Sequence, residues 1–355
     1  MSISNSQTTV RGLLSAPFQR NIQYPYLNPN PSPLVVSILC PQLKSSSHLL
    51  TGSALIVASI KENLNAWVIG QPNKEAALKA KGLILESQEG SFDLNLSGLE
   101  ITSLPPCLTK LNLKSLNCSW CPLLTALPVL PFCTLLSCYN CPLLTELPPL
   151  SICTDLDCSY CPLLTVLPDM PLCTLLNCSN CLMLKKLPSL DFCTKLSCSN
   201  CRLLTVFPKL PICIELSCSA CRSLTKLPPL PFCTMLDTRY CPLLTELPPL
   251  SICTDLDCSY CPLLTALPDM PLCIELSCSY CPLLRKLPSI PFCIEIRHFG
   301  CPLILKEDLD LDLDLDLDDP LPTIIEDPSA ESALLAAGPF DENYLINIFA
   351  SNPLR

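Results

Sequence analysis

Eight Cys-x-x-Cys pairs, from Cys118 with Cys121 to Cys278 with Cys281, are the first places where this chain has the material for chemistry. Thiolates at that spacing bind zinc, two pairs supplying four ligands, or exchange a disulfide. Lasting disulfides need an oxidising compartment. The amino terminus, Met1 to Val10, is polar and lacks a basic start, an apolar core and a small-residue cleavage site, so a cleaved secretory signal is not expected. A third reading is that the thiols are core residues, since free cysteine behaves as a small hydrophobe when buried. Cys153-Thr-Asp155 and Cys253-Thr-Asp255 resemble a thiol beside its acid, yet Cys133 and Cys173 stand in the same register without one. Only two histidines occur, His48 and His298, so Cys-His and Ser-His-Asp catalysis have almost nothing to work with. No catalytic residue, resident metal or cofactor is expected, and a thiol-rich zinc-binding repeat protein stands as the alternative.

Side chains that vary against this fixed cysteine pattern are better candidates for binding. One ridge carries Trp120, Tyr160, Tyr240, Tyr260 and Tyr280. Beside it stand Asp155, Asp157, Glu215, Asp237, Asp255, Asp257, Glu275 and Glu295. Aromatic side chains next to acids make a surface for a protein with a basic or amphipathic face; the competing reading is that the tyrosines merely cover neighbouring prolines at a turn. Lys185, Lys186, Lys195, Arg202, Lys209, Arg222 and Lys226 crowd the middle of the chain and read as a solvated edge, or else as an anion or membrane site.

What must position these residues is a repeat. Cysteine returns at every twentieth residue from Cys121 to Cys301, a second column lies three residues earlier, and a third runs from Cys133 to Cys293; together they hold 27 of the 29 cysteines. Leucine and proline return with them, as in Cys133-Thr-Leu-Leu-Ser-Cys138-Tyr-Asn-Cys141-Pro-Leu-Leu-Thr-Glu-Leu147-Pro148. Written C-x-x-L-x-C-x-x-C-x-L, this is the leucine-rich-repeat frame with cysteine at three inward positions. The fold class expected is a leucine-rich-repeat solenoid with short parallel β-strands at segments such as Leu136–Cys138 on a concave face. Leu-Pro-x-Leu-Pro would run extended on the convex side, where proline needs no amide partner. Strands stacked ~4.8 Å apart would give a curved rod on the order of 50 Å long. Residues 141–173 and 241–273 differ only at Val166 against Ala266, so five repeats have been copied as a block, which suits a binding scaffold.

Four regions follow. Residues 1–50 are a polar, proline-rich leader expected to be disordered. Residues 51–92 hold two helices that would cap the array, one over Ala54–Val68 ended by Gly70 and Pro72, the next capped by Asn73 with Glu75 in its first turn. Residues 93–305 form the array, about nine regular repeats between degenerate ends. Residues 306–355 hold Asp308–Asp318, a perfect Asp-Leu alternation that reads as a capping strand, an acidic linker or a calcium site, then short helices within 333–349. Residues 301–355 carry 13 acids against Lys306 and Arg355, so the acidity of a chain with net charge -10 lies in its tail. That balance argues against wholesale nucleic-acid binding. Apolar residues reach 49% but 39 prolines interrupt them, so no membrane span is expected.

With Trp67, an alanine-rich second helix and Leu96-Ser-Gly-Leu-Glu-Ile101-Thr-Ser-Leu104-Pro105 leading into the repeats, the chain resembles the bacterial LPX-type leucine-rich-repeat effectors over roughly residues 55–305. The resemblance implies a non-enzymatic scaffold that binds a host protein, placed in the cytoplasm or delivered into a host cell without a cleaved signal. Some members carry a ubiquitin-ligase domain with a Cys-x-Asp motif; only 54 residues follow Cys301 here, none a cysteine, so that activity is not carried over. An adaptor for a ligase supplied by another chain remains a further alternative.

Overall fold

The structure, a computed structural model, describes residues 49–87 and 92–302. The leader before Leu49, the Asp308–Asp318 run and the helices expected within 333–349 lie outside the described residues. Two compact units divide the chain, residues 1–60 and 61–355, with the boundary inside the first helix. Every contact described below belongs to the second unit.

That unit is a stack of three-residue strands. After α1 (Leu49–Gly70) and α2 (Lys74–Ser87) come β1 (Asp93–Asn95) and β2 (Ser115–Asn117). One strand then follows every twenty residues: β3 (Leu135–Ser137), β4 (Asp155–Asp157), β5 (Leu175–Asn177), β6 (Lys195–Ser197), β7 (Glu215–Ser217), β8 (Met235–Asp237), β9 (Asp255–Asp257), β10 (Glu275–Ser277) and β11 (Glu295–Arg297). They form one 11-stranded parallel sheet in sequence order, so each repeat touches only its neighbours. This is the leucine-rich-repeat solenoid that the frame implies. The strands begin one residue before the expected Leu-x-Cys segments, because Cys138 and its equivalents already lead into the next turn, although the Cys138 amide still bonds to Asp157 O at 2.8 Å.

Proline sets the path between strands. In Cys141-Pro-Leu-Leu144 the Leu144 amide bonds back to Cys141 O at 3.1 Å, and in Leu150-Ser-Ile-Cys153 the Cys153 amide bonds to Leu150 O at 3.1 Å. Both are i to i+3 turns, and most repeats place proline second in each, where its fixed φ suits the turn. No helix or strand lies between Leu144 and β4. The middle strand residue, Leu136 to Leu276, points inward with Leu144, Leu150 and their equivalents, all at most 5% exposed. Burying one such leucine contributes about 1.5–3 kcal/mol.

The helical segment is fastened to the first repeat by polar contacts. Asn73 caps α2, its Oδ1 accepting from the Ala76 amide at 3.0 Å. The helix runs on to Ser87, and α1 starts five residues before the expected Ala54. Gln71 is 4% exposed. Its Oε1 accepts from the Thr102 amide and hydroxyl at 2.9 and 3.0 Å, while its Nε2 donates to Ser103 Oγ at 3.0 Å. Trp67 Nε1 donates to Ser103 O at 3.1 Å. The last carbonyls of α1, at Val68, Ile69 and the following Gln71, accept from the Lys74 ammonium, a cation where the helix dipole is negative.

Candidate partner-binding site

The thiols face inward. All 28 described cysteines are buried and free. From the second pair onward, the second cysteine donates its S–H to the carbonyl of the residue at the first-cysteine position one repeat back: Cys141 to Cys118 O at 3.2 Å, Cys161 to Cys138 O at 3.2 Å, Cys201 to Cys178 O at 3.1 Å. Where Thr238 replaces a cysteine, Cys261 donates to Thr238 O at 3.2 Å instead. In the third column Cys133 donates to Leu135 O at 3.1 Å and Cys153 to Asp155 O at 3.3 Å. Burial pushes Cys121, Cys133 and Cys193 up to about 11 and Cys153, Cys213 and Cys253 up to about 12, from an ordinary 9.0, so these thiols stay protonated at neutral pH. Among the described residues no group of three or more Cys, His, Asp or Glu is arranged to hold a metal. The geometry does not favour the zinc-binding alternative.

The aromatic ridge stands on the turn that leaves each strand. Trp120, Tyr160, Tyr240, Tyr260 and Tyr280 have φ between 57 and 60°, in the left-handed region. The same turn position is filled by Asn140, Asn180, Asn200, Ala220 and, in the last repeat, Gly300. Glycine and asparagine take this conformation readily, whereas other L-residues pay roughly 1–2 kcal/mol for it. The turn is fixed one step earlier by the last strand residue. Asp157 Oδ1 and Asp257 Oδ1 each accept from the amide two residues on, at 3.0 Å, as does Asn117.

Three of the predicted tyrosines come together. Tyr240 stacks on Tyr260 at 4.4 Å between ring centroids and 15°, and Tyr260 on Tyr280 at 4.5 Å and 17°. Phe299 meets Tyr280 edge-on at 5.4 Å. Gly300 lies beneath this end of the stack, where a Cβ would come within 2.9 Å of Tyr280 Cδ1. Trp120 and Tyr160 belong to a separate cluster, joined edge-to-face through Tyr139 at 5.2 and 5.4 Å. The ridge therefore has two aromatic ends with Asn180, Asn200 and Ala220 between them.

The predicted acids divide by role. Asp255, Glu275 and Glu295 lie side by side at the start of β9, β10 and β11, and Asp237 lies beside Asp257 at the end of β8 and β9. Like charges directly opposed in a sheet are unfavourable, and two arginines relieve them. Arg239 makes two bonds to Asp237, at 3.0 and 2.9 Å, and approaches Asp257 at 3.5 Å; Arg297 pairs with Glu295. Glu215 pairs with Lys195. Desolvation lifts Asp155, Asp157 and Asp257 above the usual carboxylate range, and for Asp257 the hydrogen bonds from Ser259 oppose it. Asp155 and Asp157, in β4, are five strands from their copies in β9.

One surface feature escaped the sequence reading. The residue before each third-column cysteine is always apolar, and the structure leaves it in solvent: Phe132, Leu172, Phe192, Phe232, Leu272 and Phe292 are 43–66% exposed. The signal was present in the period, but a recurring apolar position is read as core by default. This row precedes the strands and the aromatic ridge follows them, so they line opposite margins of the sheet.

No protein-family model matches the chain, and no curated protein matches it. Among solved structures the chain is similar to YopM, a leucine-rich effector protein from Yersinia pestis, at 22% identity over 68% of this chain and 88% of that one, with a TM-score of 0.43. It is also similar to YopM from Yersinia enterocolitica, at 24% identity over 67% of this chain and 63% of that one, with a TM-score of 0.44.

Proposed function

We propose that the chain is a non-enzymatic protein-binding scaffold whose working surface is the margin formed by Tyr240, Tyr260 and Tyr280 with Asp255, Asp257 and Glu275. The observation that carries this reading is the tyrosines' backbone. Three consecutive repeats place tyrosine in a left-handed turn that Asn140, Asn180, Asn200 and Gly300 fill with residues suited to it. Strain retained at a surface turn points to use of the side chain. The stacked rings are 36–50% exposed, beside acids that would meet a basic or amphipathic segment of a partner. On the resemblance of the repeat frame to bacterial effectors, that partner is a protein of a host cell. Among the described residues no helix is long and apolar enough to cross a membrane.

The test replaces Tyr240, Tyr260 and Tyr280 together by asparagine, the residue that Asn140, Asn180 and Asn200 already carry at this turn. The variant keeps the backbone and removes only the rings. Pull-downs from eukaryotic lysate under reducing conditions should recover a partner with the unaltered chain and lose it with the variant, at unchanged circular dichroism. Equal recovery by both would remove the ridge as the site.

A further inference from the structure

We propose that the apolar row running from Phe132 to Phe292 is the face through which two copies of this chain join, antiparallel, about a two-fold axis beside Ile212. Nine consecutive repeats put Phe, Ile or Leu at this position and none puts a polar residue there. These side chains are not core: Phe192 is 56% exposed, Phe232 54% and Phe292 66%. Aromatic side chains bury 150–250 Å² when fully covered, so the row leaves on the order of 700 Å² of apolar surface open. A monomer rarely leaves so much contiguous apolar surface in water, and about 800 Å² is what one partner contributes to a standard interface.

The spacing selects the occupant. Strands ~4.8 Å apart set the row's pitch. A helix presents its side chains once per ~5.4 Å turn, and drifts half a step out of phase after about four repeats. A second copy of this array has the matching pitch by construction. A two-fold contact is self-complementary, and the composition of the row fits one. Reversed about Ile212, Phe132 falls on Phe292 and Phe192 on Phe232, with aliphatic residues on aliphatic residues between them. The Phe-x-x-Phe order of each copied half produces that symmetry. Because the aromatic ridge lines the other margin, pairing through the row leaves it open, and the two surfaces are independent.

Sedimentation equilibrium of the full chain, reduced and at tens of micromolar, should return twice the monomer mass. Phe192→Ser with Phe232→Ser, both on the surface, should raise the dissociation constant at least ~100-fold, the scale of paired aromatic hot spots. A benzophenone side chain in place of Phe132 should cross-link to the peptide around Phe292 of the other copy, and one in place of Ile212 to its own equivalent. The cross-links need no destabilising substitution, so they decide the matter if the double variant unfolds. A monomer at that concentration, a dimer indifferent to the double substitution in a folded chain, or cross-links joining like positions at Phe132 would each overturn the proposal.

Discussion

A left-handed turn is filled in this chain by five kinds of residue, and their different strain predicts their different worth. Ala220, with φ of 57°, has neither the freedom of glycine nor the local hydrogen bonding of asparagine. Ala220→Asn should stabilise the protein by about 0.5–1 kcal/mol, visible as a higher denaturant midpoint at unchanged slope. Asn200, the neighbour one repeat back, already donates to Asn180 Oδ1 at 2.7 Å, so the new side chain would extend an existing row. The buried thiols predict the opposite sign. Cys161→Ala removes the donor to Cys138 O and leaves a small void, and should cost about 2 kcal/mol in the same measurement. Sequence pattern alone placed Cys161 in the core and Tyr260 on the surface. It did not show that Tyr260 stands in a left-handed turn. That required seeing Asn140, Gly300 and Tyr260 as one column, which their dissimilar side chains conceal.

At the scale of elements, the strands followed from the repeat, and in most repeats the tight turns carry proline second. The strand boundaries shifted by one residue because the amides of Cys138 and its equivalents continue the ladder past the last extended residue. Burial was harder to foresee. Periods of 2 or 3.6 separate an inner face from an outer one, but a period of twenty returns the same position without saying which way it points; Leu136 and Phe132 recur alike, one inside and one outside. The contact between the residue that follows α1 and the first repeat was also beyond sequence reasoning, since it joins Gln71 to Thr102 and Ser103 across a long stretch of chain. Gln71 is buried and has three side-chain bonds there. Gln71→Ala should therefore cost about 2–3 kcal/mol, the penalty for leaving buried polar groups unpaired, and should loosen the helices first. Amide hydrogen exchange within 61–87 would rise before exchange in the strands; uniform exchange throughout would mean that the contact is not an anchor.

For the whole molecule, stability is a sum over neighbouring repeats, and the thiols make that sum depend on pH. Cys121, Cys133, Cys153, Cys193, Cys213 and Cys253 have folded values raised to about 11 or 12 from an ordinary 9.0, burial being the largest cause in each. Below pH 9 both folded and unfolded thiols hold their protons, and this contribution is complete. Above it the unfolded chain ionises while the folded one does not, so stability falls as pH rises toward 11. Each such thiol removes about 1.4 kcal/mol per pH unit. The six named thiols alone would remove about 8 kcal/mol per unit, enough to unfold a typical domain within two units. A steep alkaline transition beginning near pH 9, followed by circular dichroism under reducing conditions, is expected; a chain still folded at pH 11 would contradict the buried thiol columns. The placement of its chromophores lets this molecule report on its own melting. Its two tryptophans, Trp67 and Trp120, lie where the stack begins, and the coupled rings of Tyr240, Tyr260 and Tyr280 lie near where it ends. Indole fluorescence and the near-ultraviolet dichroism of the tyrosine stack thus watch opposite ends without any label. If the two signals fall together, the array melts as one body; if they part, it unzips, and the one that falls first names the end at which it starts.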